Sequence, residues 1–173
     1  MKILVTGGSG FIGTNLIEKL LSEVGVRVLN IDISRPKKNS HLPYWSQGDI
    51  RDHQFVSKTL NSFQPEILIH MAARTDLDGL SIEDYSSNIE GVENVIKCCN
   101  LNGSLKRVIF ISSMLVCRLG YQPKNEEDYC PTTLYGDSKV RGEQLVREQI
   151  RPDLEWSILR PTSLWGPWFD APY

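Results

Sequence analysis

Two periods of apolar residues alternate along this chain, and that alternation restricts its fold more than any other feature. Ile3-Leu4-Val5 is a short continuous apolar run, as a strand buried on both faces requires. From Phe11 to Val24 the spacing becomes helical: Ile12, Leu16 and Leu20 recur every fourth residue, and so do Ile17 and Leu21. Val26 to Ile31 returns to strand content, Tyr44 to Gly48 predicts a weaker strand, and Asp52 to about Phe63 predicts a helix. Ile67-Leu68-Ile69, Val108 to Ile111 and Trp156 to Leu159 predict three further strands. Val92, Val95, Ile96 and Cys99 mark one intervening helix face; Val140, Leu145, Val146 and Ile150 mark another, beginning near Leu134. Strands that are joined by helices are parallel, and helical crossovers cover both faces. The expected architecture is a doubly wound parallel α/β sheet.

The 173 residues fit one domain, 1–173, with no repeat, low-complexity segment or linker. Hydrophobic residues at 40% and charged residues at 23% exclude a disordered tail or a fibre. A net charge of -2 provides no field that would draw the chain to nucleic acid or to an anionic membrane. No apolar run approaches the ~20 residues that cross a bilayer, and Met1-Lys2 leads straight into a strand rather than a signal segment. Cys98, Cys99, Cys117 and Cys130 match no metal spacing. Reduced thiols, no metal and a cytoplasmic location are the expectation. Trp165, Trp168 and Phe169 crowd the last residues with nothing after them to bury against. This reads as the N-terminal part of a longer protein.

Gly7-Gly8-Ser9-Gly10-Phe11-Ile12-Gly13 follows the first strand and opens the first helix. Glycines at 7, 10 and 13 permit a tight turn, close approach of backbone to a pyrophosphate, and close helix–strand packing. The open N–H groups of the first helical turn then receive the anion. A glycine triplet alone is weak, but Asp32 ends the second strand 19 residues past Gly13. That is close to the ~20 expected of a carboxylate that accepts ribose hydroxyls. The same carboxylate repels a 2′-phosphate, which favours NAD over NADP. Arg35, Lys37 and Lys38 could receive that phosphate, although a solvated basic loop is the plainer reading.

Tyr135-Gly136-Asp137-Ser138-Lys139 places a phenol and an ammonium four apart, on one face of a helix. A cation beside a phenol would lower its pKa and equip it to move a proton at a substrate alcohol. Alone, Tyr-x-x-x-Lys is a common accident of helix surfaces. Ser112-Ser113 at the end of the strongest strand, where ligands gather in this class of sheet, makes it part of a constellation.

Gly7-x-x-Gly10-x-x-Gly13, His70-Met71-Ala72-Ala73, Ser112-Ser113, Tyr135-x-x-x-Lys139, and Arg160-Pro161 with Gly166-Pro167 together resemble the extended short-chain dehydrogenase/reductases. Within them the chain is similar to the NAD-dependent epimerase/dehydratases of nucleotide sugars, over essentially its whole length. The resemblance implies a Rossmann fold and NAD as cofactor. Ser113 would bond the reacting oxygen, Tyr135 would be the acid/base, and Lys139 would hold the ribose and depress the phenol pKa. Gly7, Gly10, Phe11, Ile12, Gly13 and Asp32 would bind pyrophosphate and adenosine ribose, Asp49 and Ile50 adenine. Ala72, Ala73 and Asn88 would line the nicotinamide side, with Tyr135 and Lys139 also touching cofactor. His70 reads as a packed or capping residue, and His41 and His53 as surface. A nucleotide-sugar substrate and a homodimer built through a four-helix bundle are further expectations.

Departures from the family pattern narrow the chemistry. Dehydratases of the family carry acidic residues just after the catalytic serine or threonine; here Met114 and Leu115 stand there, and neither can exchange a proton. Epimerisation at C4 through a keto intermediate is the expected reaction. A keto-sugar reductase, a 4,6-dehydratase, and an inactive NAD-binding fragment or sensor are alternatives. Cys117 and Trp165 replace tyrosines common in the family near the substrate mouth. Relatives continue past Gly166-Pro167 into a region that supplies most substrate contacts, so the substrate subdomain is expected to be largely missing.

Overall fold

A computed structural model describes residues 1–169; the last four residues of the expected domain, 170–173, lie outside the described residues. Six strands, β1 (Lys2–Thr6), β2 (Arg27–Asp32), β3 (Trp45–Gln47), β4 (Ile67–His70), β5 (Arg107–Ile111) and β6 (Glu155–Leu159), form one sheet. Their order is β3-β2-β1-β4-β5-β6 and every pairing is parallel. Four helices connect them: α1 (Phe11–Leu21), α2 (His53–Phe63), α3 (Ser86–Leu101) and α4 (Leu134–Gln149). The order of successive strands reverses across the sheet between β1 and β4, so the strand tips there open a crevice for a ligand. Among the described residues no helix is long and apolar enough to cross a membrane.

Local chemistry sets the helix ends. Asp52 accepts the Phe55 N–H at 3.0 Å and starts α2; Pro65 stands just beyond its left-handed cap at Gln64. Thr133 accepts the Gly136 N–H at 2.9 Å and starts α4. The first helix stops at Leu21, three residues before the periodicity does, and the Val24 side chain is fully exposed. Gly25, at φ +78°, turns the chain there. Three short 3₁₀ turns, Asn39–Tyr44, Ile82–Tyr85 and Met114–Val116, carry no periodicity that the sequence could reveal.

Alternate residues of β1 serve opposite cores. Leu4 joins a large cluster with Leu68, Val108 and the inner faces of α2, α3 and α4, whereas Ile3 and Val5 pack with Ile17 of α1. Helices lie on both faces as expected, and their cover is unequal. Three helices cover one face, and α1 alone covers the other, over β1 and its neighbours. Ile109 and Ile111 stay half-buried and Leu159 is exposed on that thinner side.

Candidate active site

A cleft of about 970 Å³ runs along the carboxyl tips of the strands. Gly7, Gly10, Phe11, Ile12, Gly13, Asp32, Asp49, Ile50, Ala72, Ala73, Ser113, Tyr135 and Lys139 all line it, so sequence-distant expectations converge on one surface. Asn88 does not. Its side chain is buried behind the wall, bonding the Arg74 N–H at 2.8 Å, the Arg74 carbonyl at 2.9 Å and Ser138 at 2.9 Å. Asn88 thus braces the segment after Ala73 instead of lining the site.

The three glycines of the first turn do different work. Gly7 adopts φ +76°, and a Cβ there would stand 2.6 Å from the Ala72 nitrogen. A Cβ on Gly13 would stand 2.3 Å from the Gly7 carbonyl. A Cβ on Gly10 would meet only the Gly7 oxygen, at 3.5 Å; what it would fill is the cleft. No side chain caps α1 and no acidic residue lies in its first turn. An uncapped helix end beside a cradle open only toward the cleft fits a pyrophosphate. Across the turn, Asp32 accepts the Ser9 N–H at 2.9 Å and the Ser34 N–H at 2.8 Å, one on each oxygen. A carboxylate has about four acceptor positions, so two remain for ribose hydroxyls. Asp49 is held by Arg51 at 2.6 Å, whose hydrogen bonds keep that carboxyl below its usual range. Ile50 packs its side chain into the core against Gly91. Lys38 pairs with Glu18 at 2.5 Å.

At the other end, Ser113, Tyr135 and Lys139 are each less than a tenth exposed. Gly136 is what allows their approach: a Cβ on it would lie 2.3 Å from the Leu115 carbonyl, so the 3₁₀ turn after Ser113 packs directly on the first turn of α4. Burial holds the Tyr135 phenol above its ordinary pKa, and Ser113 opposes this. That reverses the expected direction. Lys139 lies 5.9 Å from the phenol ring centre and donates to the Ile111 carbonyl at 3.0 Å, and desolvation is the largest influence on the phenol. Burial pushes the Lys139 ammonium down to about 8, with Glu143 resisting.

Glu143 itself carried no signal in the sequence beyond its place one turn after Lys139. It is 2% exposed and accepts from Ser112 at 2.6 Å, Tyr129 at 3.0 Å and Arg160 at 2.8 and 2.6 Å. This pair, its carboxylate buried and its guanidinium half-buried, ties the ends of β5 and β6 to α4 behind the site. His41, expected at the surface, is buried instead: the 3₁₀ turn Asn39–Tyr44 folds it inward, and burial lowers its imidazole pKa. His53 is exposed as expected, with Nδ1 2.8 Å from Asn94 Oδ1. His70 is packed, 3% exposed.

Comparison with known proteins agrees with this geometry. The model of the NAD dependent epimerase/dehydratase family matches residues 3–172. An Escherichia coli O157:H7 N-acetyl-alpha-D-glucosaminyl-diphospho-ditrans,octacis-undecaprenol 4-epimerase is 32% identical over 170 residues, covering 95% of this chain and 49% of that protein. The chain thus spans about half the length of the curated relatives it matches. The Bordetella bronchiseptica enzyme WbmG, solved in complex with NAD, superposes with a TM-score of 0.75 at 30% identity, over 92% of this chain and 52% of that one. Thermotoga maritima UDP-glucose 4-epimerase, solved with UDP-glucose, gives 0.82 at 27% identity, over 98% and 58%. A Rossmann-type sheet, a cleft along its strand tips and a match over nearly the whole chain lead to one assignment: the chain belongs to the NAD-dependent epimerase/dehydratase family.

Proposed function

We propose that this chain forms the cofactor-binding and proton-transferring half of a nucleotide-sugar 4-epimerase that uses NAD. The observation that carries the reading is the meeting of Ser113, Tyr135 and Lys139 on a cleft whose other end is an uncapped helix N-terminus and Asp32. NAD, when bound, supplies the acceptor and donor of hydride. Tyr135 as the phenolate takes the proton of the C4 hydroxyl and, now a phenol, later returns it to the ketone oxygen; burial favours the protonated form that the return needs. Ser113 bonds the same oxygen and orients it. Lys139, behind the phenol on α4, offers its remaining N–H donors to a ribose and stabilises the phenolate when the proton leaves.

The residues that follow Ser113 favour epimerisation over loss of water. Met114, Leu115 and Val116 fill the 3₁₀ turn beside the phenol with groups that carry no proton. Asp84, on the same cleft, is engaged by the Leu80 N–H at 2.8 Å and the Ser81 N–H at 3.2 Å. The test is incubation with NAD and UDP- or dTDP-hexoses, with products resolved by NMR. C4 epimers support the reading. A 4-keto-6-deoxy product would make the chain a dehydratase, a net alcohol–ketone conversion would make it a reductase, and NAD binding without turnover would leave only a dinucleotide-binding unit.

A further inference from the structure

A second, much smaller cavity of about 20 Å³ lies behind the site, lined by His70, Asn88, Phe110, Ser112, Lys139 and Glu143 among others. Lys139 lines both the cleft and this cavity, so it forms part of the wall between them. The cavity also borders His70, whose Nε2 is buried with no hydrogen-bond partner among the described residues. The tautomer follows from the other ring nitrogen. Thr6 Oγ1 receives the Ala72 N–H at 3.3 Å and, at the same distance, a share of the Met71 N–H, which bonds the Thr6 carbonyl at 3.0 Å. With two N–H groups already directed at Oγ1, we assign the hydroxyl as donor to His70 Nδ1, 2.8 Å away, which leaves the ring proton on Nε2. A buried Nε2–H needs an acceptor. Lys139 offers only donors, and Glu143 already receives four hydrogen bonds.

We propose that this cavity holds one internal water, which accepts from His70 Nε2–H and from Lys139 Nζ and donates to Ser112 Oγ. The volume exceeds the roughly 10–15 Å³ that one water requires, and the partners number two to four as ordered waters demand. The three donors of Lys139 are then divided between the Ile111 carbonyl, the water and the cleft. His70 becomes a positioning residue that aims the lysine. The water site stands on this geometry alone, while the value of aiming Lys139 rests on the proposed function. Nitrogen-15 NMR of the wild-type imidazole tests the site: a proton on Nε2 with a cross-peak to a slowly exchanging water is expected. A proton on Nδ1, or an Nε2–H with no water contact, would overturn it. For the aiming role, the Lys139 ammonium is titrated by NMR in His70→Phe and His70→Gln, with Glu143, Tyr135 and Ser112 unchanged around it. Loss of the water moves that titration about one pH unit lower in His70→Phe, and the glutamine restores most of it. A lower melting temperature with an unmoved Lys139 titration would reduce His70 to packing, and if the phenylalanine variant does not fold, the wild-type spectrum still decides the site.

Discussion

Gly10 and Gly7 separate binding from folding within one turn. Gly10 has an ordinary φ of -72° and room for a methyl group on its cleft side, so Gly10→Ala leaves unfolding free energy within about 0.5 kcal/mol and weakens NAD binding at least about tenfold. Gly7→Ala forces a left-handed backbone onto alanine and a clash with Ala72, and costs more than about 2 kcal/mol of stability. Chemical denaturation beside NAD calorimetry distinguishes the two. Lys139 provides a prediction of opposite sign. Its ammonium titrates at about 8 when folded against 10.5 for the free side chain. The unfolded chain binds the extra proton between those values, so the burial penalty is complete below about pH 8 and is relieved as pH rises toward about 10.5. Lys139→Met is expected to be more stable than the parent by about 1–3 kcal/mol at pH 7, with the gap closing by pH 10. A constant gap in denaturation midpoints would contradict this. The glycine spacing and the Tyr135–Lys139 pair were legible because each is a local pattern. The direction of the Tyr135 shift was not, since it depends on how deeply distant segments bury the phenol.

At the scale of elements, α4 carries the site and Glu143 anchors it. The carboxylate touches β5 through Ser112, the β6 end through Arg160, and Tyr129 ahead of its own helix. Truncation to Glu143→Ala leaves Arg160 without its buried counter-charge and is expected to cost about 3–5 kcal/mol, read from urea unfolding. A cost below about 1 kcal/mol would show that solvent already screens the pair. Strand and helix positions could be read from apolar period alone, because each element must present one face or both to the core. The 3₁₀ turns could not, and two of them matter: one buries His41, and the other presses on Gly136 to bring Ser113 beside Tyr135. Asn88 illustrates a different limit. The family resemblance set it on the cleft wall, but only the tertiary arrangement reveals that Arg74 and Ser138 occupy its amide.

For the molecule as a whole, the reversal of strand order between β1 and β4 explains why residues as distant as Gly10 and Lys139 share one crevice. The same arrangement sets cofactor preference at its far end. Asp32 lines the cleft, and if it accepts from a ribose 2′-hydroxyl as proposed, parallel calorimetric titrations should show NAD binding at least about tenfold tighter than NADP; equal or tighter NADP binding would refute that role. A crystal structure of the chain with NAD tests the central claim most directly. The account predicts the pyrophosphate over Gly10, Phe11 and Ile12, the adenosine ribose on Asp32, and the nicotinamide ribose within hydrogen-bond reach of Lys139. A dinucleotide bound elsewhere, or lying in the crevice with its nicotinamide turned away from Tyr135, would contradict it.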